Sequence, residues 1–398
     1  MYFEQPDGGK LMDLQRQSDS ESRQGSRKEM AKMIELLEKL GPNIDLIART
    51  SGQFKETVRY RYNEKIVKRF GLQARVNHER LGLKRVVVIG RLNRLLRSSA
   101  RQLFEILSES CYTVSYARTI PDGKVVISFS IPEEFFGNLE RLMRELRRAR
   151  LFRTDKILKF DWIRTAPMRA EFYDFDADKW ELDWQLSERW AEEALRYAPS
   201  TVGEFDYSDL LLVKELQVDA TRSLTEIAAE LRMGYRTALR HYAHVFDRRL
   251  ISGYRALWIG SRYDPKRDVF GQLKHRYADL MMIVADTTSS EQEQLRRATN
   301  KVPFIWAEAG GKHLFAELVV PLEYLNEILR YLEQQFEIAG DRVMYYVGDQ
   351  NDAIGFTIAY QLFDQRRKKW TFNSSRALTQ LAKLQPSIQL AAPDFGRK

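Results

Sequence analysis

The chain has 398 residues, with 64 Lys+Arg against 55 Asp+Glu for a net charge of +9, 44% hydrophobic residues, 21 Gly and 11 Pro. That length exceeds the usual span of one hydrophobic core, and the composition excludes a disordered or fibrous protein. The mainly apolar run at 353–365 is too short to cross a bilayer, the first residues lack a signal peptide's basic-then-apolar order, and the single Cys111 has no partner for an internal disulfide, so a cytoplasmic location without a membrane partner is expected.

The first 26 residues are polar and read as a flexible tail. Beyond them the chain is written twice. At an offset of 180, Ile47-Ala48 falls on Ile227-Ala228, Thr57-Val58 on Thr237-Ala238 and Tyr62 on Tyr242. At 189 to 190, Ile131-Pro132 falls on Val320-Pro321, and the segment from Phe172 to Trp180 on that from Leu362 to Trp370. Matches in the same order along the chain point to a tandem duplication.

Each copy opens with helices. Apolar spacing predicts Glu29 to Leu40, stopped by Gly41-Pro42; Asn43 then caps Ile44 to Thr50, and Ser51-Gly52-Gln53 turns into a third helix from Phe54 to Phe70. The second copy repeats this with Tyr207 to Val218, with Leu224 to Arg232 behind a Ser223/Glu226 capping box, and with Tyr235 to Arg248. Helix, Gly turn, helix is the spacing of a helix-turn-helix.

The period then changes. Strand Lys84 to Leu92, helix Ser98 to Ser110, strands Tyr112 to Thr119 and Lys124 to Ile131 around Pro121-Asp122-Gly123, helix Glu133 to Arg150 and strand Lys156 to Ile163 follow. Leu280 to Ala285, Ser290 to Asn300, Val302 to Ala307, His313 to Val320, Leu322 to Phe336 and Val343 to Val347 repeat the order. The expected fold is therefore α+β, two tandem copies of a helix-turn-helix followed by a ferredoxin-like βαββαβ domain. The boundaries are a tail 1–26, a first helix-turn-helix 27–83, a first βαββαβ domain 84–171, a connector 172–204, a second helix-turn-helix 205–260, a second βαββαβ domain 261–372 and a C-terminal tail 373–398.

Thr57-Val58-x-x-Arg61, the linking strand Ala74 to Leu83, and Leu250-Ile251-Ser252-Gly253-Tyr254-Arg255-Ala256 in the second copy resemble the leucine-responsive (Lrp/AsnC) transcription regulators. The resemblance implies double-stranded DNA as partner, a small-molecule effector and pairing into a homodimer. It departs from the family in carrying two units per chain and in the insertion Arg262 to Arg267.

In a helix-turn-helix the third helix enters the major groove, which places Gln53, Lys55, Thr57, Arg59, Tyr60, Arg61, Lys65 and Lys68 of the first copy at the DNA, and Tyr235, Arg236, Thr237, Arg240 and His241 of the second. Arg61 has a competing role in tying its helix to its own domain. His241 and His244 lack further ligands for a metal, Asp174-x-Asp176-x-Asp178 lacks the glycine and glutamate of a calcium loop, and Gly123-Lys124 and Gly311-Lys312 read as hairpin turns. Trp180, Trp184, Trp190 and Tyr197 are spaced for packing. No nucleophile, base and orienter stand together, so no catalytic residue, cofactor or metal is expected, and the chain reads as a non-enzyme. The alternative is an enzyme: siroheme decarboxylases resemble the same architecture, and basic residues suit an acidic tetrapyrrole, but no histidine can be assigned to a βαββαβ pocket from sequence.

Overall fold

The computed structural model describes residues 29–68, 70–175, 177–184, 188, 191–192, 195, 200–258, 276–349 and 353–390. The expected tail at 1–26, the insertion Arg262 to Arg267, and Asp176, Trp190 and Tyr197 lie outside the described residues.

In the first head, helix α1 (29–40) buries Met30, Met33, Ile34, Leu36 and Leu37. It stops where Gly41 takes φ +71°, a conformation that costs glycine little. Asn43 caps α2 (Ile44–Ser51) by accepting from the Leu46 N–H at 3.1 Å. The third helix begins as α3 (Lys55–Tyr60) but widens into a π-turn at Arg61–Ile66, and the chain is already extended at Phe70, where a helix is predicted from sequence. Phe70 is buried as the first residue of a strand, so tertiary packing ends the helix early.

The sheet of each βαββαβ unit follows. Strand β1 (Phe70–Val76) links the first head to β2 (Lys84–Leu92), α4 (Ala100–Cys111), β3 (Thr113–Ile120), β4 (Val125–Ile131), α5 (Phe136–Arg148), β5 (Phe152–Lys159) and β6 (Trp162–Thr165). A small hairpin of β7 (Tyr173–Asp174) and β8 (Lys179–Trp180) precedes the second head, which is α6 (Tyr207–Val218), α7 (Leu224–Glu230) and α8 (Tyr235–Asp247). The Ser223/Glu226 capping box forms as its spacing requires. Then come β9 (Ile251–Trp258), β10 (Tyr277–Val284), α9 (Ser289–Lys301), β11 (Ile305–Gly310), β12 (Leu314–Pro321), α10 (Leu325–Phe336), β13 (Val343–Gly348), β14 (Ile354–Gly355), a hairpin of β15 (Phe363–Asp364) and β16 (Lys369–Trp370), and α11 (Ser374–Leu390). The strand orders β5-β2-β4-β3 and β13-β10-β12-β11 are the same antiparallel arrangement met twice. The chain is α+β and duplicated.

Three further expectations are corrected. The first linking strand is β1, earlier than Ala74 to Leu83, because the chain turns at His78: Leu81 and Leu83 N–H both donate to the His78 carbonyl, and Gly82 has φ +71°. The strand expected from Lys156 to Ile163 is two strands, broken where Phe160 N–H bonds the Arg85 carbonyl and Asp161 N–H the Gly310 carbonyl. Of the expected tail at 373–398, Ser374–Leu390 form α11, which buries Ala377 and Leu381, and 391–398 lie outside the described residues.

The two units are joined by exchanged strands. β6 leaves the first unit and pairs with β11 of the second, Trp162 opposite Gly310 and Thr165 opposite Ala307; β14 of the second pairs with β3 of the first, Ile354 opposite Tyr116. A Cβ on Gly310 would stand 2.3 Å from the Trp162 ring, so this pairing requires glycine there. The linking strands β1 and β9 form an antiparallel ribbon, Phe70 opposite Trp258 and Gln73 opposite Arg255.

At the β6–β11 junction the Glu308 carboxylate, almost fully buried, accepts from Arg164 Nε at 2.7 Å, Arg296 Nη2 at 3.0 Å and Asn300 Nδ2 at 2.8 Å. Burial works against its charge, yet the two guanidinium groups hold its pKa below the usual carboxylate range. Arg164→Ala is expected to cost about 1.5–3 kcal/mol, the range for a lost hydrogen bond to a charged group, read as a lowered midpoint in urea unfolding.

Candidate functional site: a polar cavity between ribbon and sheets

Alternation along the strands sorts side chains to two faces. Val86 and Val88 of β2, and Leu280 and Met282 of β10, join the core that includes the helices. Val87, Ile89, Met281, Ile283 and Phe315 take the opposite face and form a second apolar cluster where the two units meet. Arg85, Asp279 and Glu317 occupy positions of this second face two residues along from that cluster. They line a cavity of about 580 Å³, within the range of ligand pockets, roofed by β1 and by Arg255 of β9. Val114 to Ala117 of β3 and the 353–357 segment from the other unit complete its walls.

Three guanidinium groups reach this cavity. Arg255 donates to the carbonyl of Ala166, from Nε at 2.7 Å, and to that of Trp306, with its guanidinium 3.8 Å from the centre of the Trp306 ring. Arg75 donates from Nη1 to the Thr165 carbonyl at 3.3 Å. The Nε atoms of Arg75 and Arg85 are buried without a hydrogen-bond partner. Burial depresses all three, to about 10 for Arg85 and about 9 for Arg255, so each remains cationic at neutral pH. His78 also lines the wall, its Nδ1 2.6 Å from Ser130 Oγ, and burial with Arg85 nearby lowers its pKa to about 3, leaving a neutral ring. The histidine that could not be assigned to a βαββαβ pocket from sequence is thus supplied by the turn after β1.

Asp279 and Glu317 face the same space. β10 and β12 pair with Met281 opposite Glu317 and Asp279 opposite Val319, which makes the two carboxyl groups diagonal neighbours on one face. Burial, and for Asp279 the charge of Glu317, raises both above the usual carboxylate range. Asp279 Oδ1 has no hydrogen-bond partner.

Behind the ribbon, Glu38 of α1 accepts from the Met168 N–H at 2.8 Å and the Ala256 N–H at 2.9 Å. Burial outweighs the lowering effect of Arg75 and raises its pKa to about 7.

The residues expected at DNA sit on the two heads, away from this cavity. Thr57, Arg59, Tyr60, Lys65, Lys68, Tyr235, Arg236, Thr237 and Arg240 are exposed. Several are ion-paired: Lys55 with Asp45, Arg59 with Glu56, Lys68 with Glu64. Arg61 bonds Glu29 of α1 and Gln53, the intradomain tie weighed against DNA contact. His241 is corrected: it is buried, with Nδ1 2.8 Å from Asp209 Oδ1, while His244 Nδ1 lies 2.9 Å from Asp209 Oδ2. Asp206, Asp209 and His241 bring potential ligand atoms within 4.8 Å of one another, but Asp209 is already occupied by the two imidazoles and by the Asp206 N–H in a capping box. Trp180 and Trp184 pack as expected, against Phe304 and Tyr331. No helix among the described residues is long and apolar enough to cross a membrane.

No known family profile matches the sequence, and no curated protein matches it. Among solved structures, siroheme decarboxylase NirDL is similar with a TM-score of 0.48 and 11% identity, over 89% of this chain and 98% of that one. The same enzyme in co-complex with an iron-uroporphyrin III analogue gives 0.46 and 11%, over 91% and 99%. The leucine response regulatory protein LrpA of Mycobacterium tuberculosis gives 0.23 and 21%, over 32% of this chain and 88% of that one. The sequence reading of a non-enzyme is withdrawn on this finding, since the structures matched along nearly the whole chain are those of an enzyme.

Glu38 makes stability depend on pH. A carboxyl held at about 7 when folded and near 4.5 otherwise favours folding fully below 4.5, and that contribution is lost as pH rises to about 7, where the folded state also releases its proton. Glu38→Gln retains a carbonyl acceptor without the titration. Across that window the unfolding free energy of the variant should therefore rise relative to wild type, read from paired denaturant titrations at several pH values.

Proposed function

We propose that the chain is an enzyme acting on a polycarboxylated tetrapyrrole, with a siroheme decarboxylase-like activity seated in the cavity between the ribbon and the sheets. The observation that carries this reading is the convergence of Arg75, Arg85 and Arg255 on a cavity of about 580 Å³ whose walls also include the apolar Val114, Val126, Met281 and Phe356. Two of these groups have a buried Nε without a partner. A buried donor without an acceptor is costly, and a ligand carboxylate supplies the missing acceptor with a charge-assisted bond. Several guanidinium groups on separate strands suit a ligand with several carboxylates spread around a flat ring. Val114, Val126, Met281 and Phe356 would meet the ring itself. Decarboxylation gains from such a wall, because a carboxylate moved out of water loses the hydration that opposes departure of carbon dioxide.

The full chain mixed with siroheme should show a saturable change in the tetrapyrrole absorbance and yield products lighter by the mass of carbon dioxide in mass spectrometry. Arg85→Gln should weaken binding by roughly 10- to 100-fold, corresponding to about 1.5–3 kcal/mol for one charge-assisted contact. Absence of binding and of decarboxylation would overturn the reading.

A second reading, transcriptional regulation through double-stranded DNA, rests on the exposure of the third helix in each head, with Lys65, Arg236 and Arg240 open to solvent. Under it the boundaries 27–83 and 205–260 delimit two DNA-reading units, and Lys65→Ala should reduce the slope of log affinity against log salt by about 0.9, with equal loss on specific and random duplexes. A duplex-binding assay that finds no salt-dependent association would exclude it.

A further inference from the structure

We propose that Asp279 is the proton donor of this cavity, delivering a proton to the carbon from which a carboxylate has departed; the assignment rests on the decarboxylase reading above. Loss of carbon dioxide from R–COO⁻ breaks the bond between R and the carboxylate carbon and leaves the electron pair on R. One proton must then form the new C–H bond. Asp279 supplies it as a carboxylic acid, becomes a carboxylate, and recovers a proton from water entering the half-buried wall, so that R–COO⁻ and one solvent proton become R–H and carbon dioxide.

Geometry singles out this residue. Asp279 stands on the inner face of β10, lines the cavity, and carries a buried Oδ1 that no protein group bonds. Its strand neighbours leave it free of a neutralising partner: the residue opposite on β13 is Gly348 and the residue opposite on β12 is Val319. On its own face stand Tyr277, two residues back on β10, and Glu317, diagonal on β12, whose charge disfavours ionisation of Asp279. The remaining charged groups on the wall are Arg75 of β1, Arg85 of β2, Arg255 of β9 and Asp219 after α6. Burial raises the Glu317 carboxyl as well, against the lowering charges of Arg85 and Arg255, so the arginines act on Glu317 and not on Asp279. The other candidates fail as donors: His78 is a neutral ring with its pKa at about 3, and the arginines do not release protons at neutral pH.

The test uses the full chain with siroheme as probe, comparing wild type, Asp279→Asn and Glu317→Gln for binding by absorbance and for carbon dioxide loss by mass spectrometry across pH. Asp279→Asn should bind siroheme as wild type does and decarboxylate about a hundredfold more slowly, the scale of a lost general acid. The wild-type rate should fall as pH rises through the raised pKa of Asp279. Glu317→Gln leaves the burial that raises it most but removes the added charge of Glu317, and should move that fall to lower pH. Decarboxylation by Asp279→Asn at the wild-type rate would overturn the assignment alone, leaving the decarboxylase reading intact. Wild type that binds siroheme without losing carbon dioxide would overturn both. Should Asp279→Asn not fold, the Glu317→Gln profile decides: an unmoved alkaline limb refutes the donor role, which a structural effect of the substitution cannot imitate.

Discussion

The guanidinium of Arg255 is buried, and a buried cation is tolerated only where acceptors surround it. Its acceptors are backbone carbonyls of Ala166, just past β6, and of Trp306 in β11. This one requirement draws four parts of the chain together. The ribbon strand β9 carries the arginine, the exit from β6 and the strand β11 supply oxygen, and Glu38 of α1 lies close enough for its charge to act on the group. Because Glu38 also accepts from the Ala256 and Met168 N–H groups, the first head is pinned to the same point. The position of β6 on the neighbouring unit, and with it the cavity roof, follows from satisfying these polar groups.

The exchanged strands explain why the meeting of the two units is dry at one end and polar at the other. The two units share one ten-stranded sheet, joined where β13 pairs with β3 and extended by β6 and β14 crossing over, and Val87, Ile89, Met281, Ile283 and Phe315 form one apolar cluster between its two halves. Moving two residues along β2 and β10 exchanges these hydrophobes for Arg85 and Asp279. The change from hydrophobe to polar group occurs where β1 and Arg255 of β9 roof the space, so Arg85 and Asp279 both line the cavity.

Much of this architecture is legible in the residues. The Ser223/Glu226 capping box, the Gly41 stop, the alternation of Lys84 to Leu92 and the repeat of Ile131-Pro132 as Val320-Pro321 act over short range, and the elements form where those signals put them. What was not legible depends on partners distant in sequence. Trp162 to Thr165 looks like a continuation of the preceding strand until Gly310 is seen to accept it, and Ser374 to Leu390 looks like a tail until Ala377 and Leu381 find a surface. The cavity is hidden for the same reason: Arg75, His78, Arg85, Arg255, Asp279 and Glu317 are scattered over more than half the chain, none in a local motif. His241 misled in the opposite direction, since its place in a third helix suggested solvent while Asp209, a helix away, draws it inward.

The register of the sheets gives the duplication a meaning that repetition alone does not have. Arg85 is opposite Ser130, next to the Lys84–Ile131 pair, and Asp279 is opposite Val319, next to the Ala278–Val320 pair, so the two are counterparts in the two copies. Ser128 and Glu317 correspond likewise, facing Val87 and Met281. Two identical subunits meeting in this way would be bound by their symmetry to place two arginines or two aspartates at these positions. Covalent fusion lifts that bond: each half can vary independently while the partner's stoichiometry stays fixed at one. A cation and an acid can then face a single ligand from mirrored places, a division of labour that no pair of identical chains could encode.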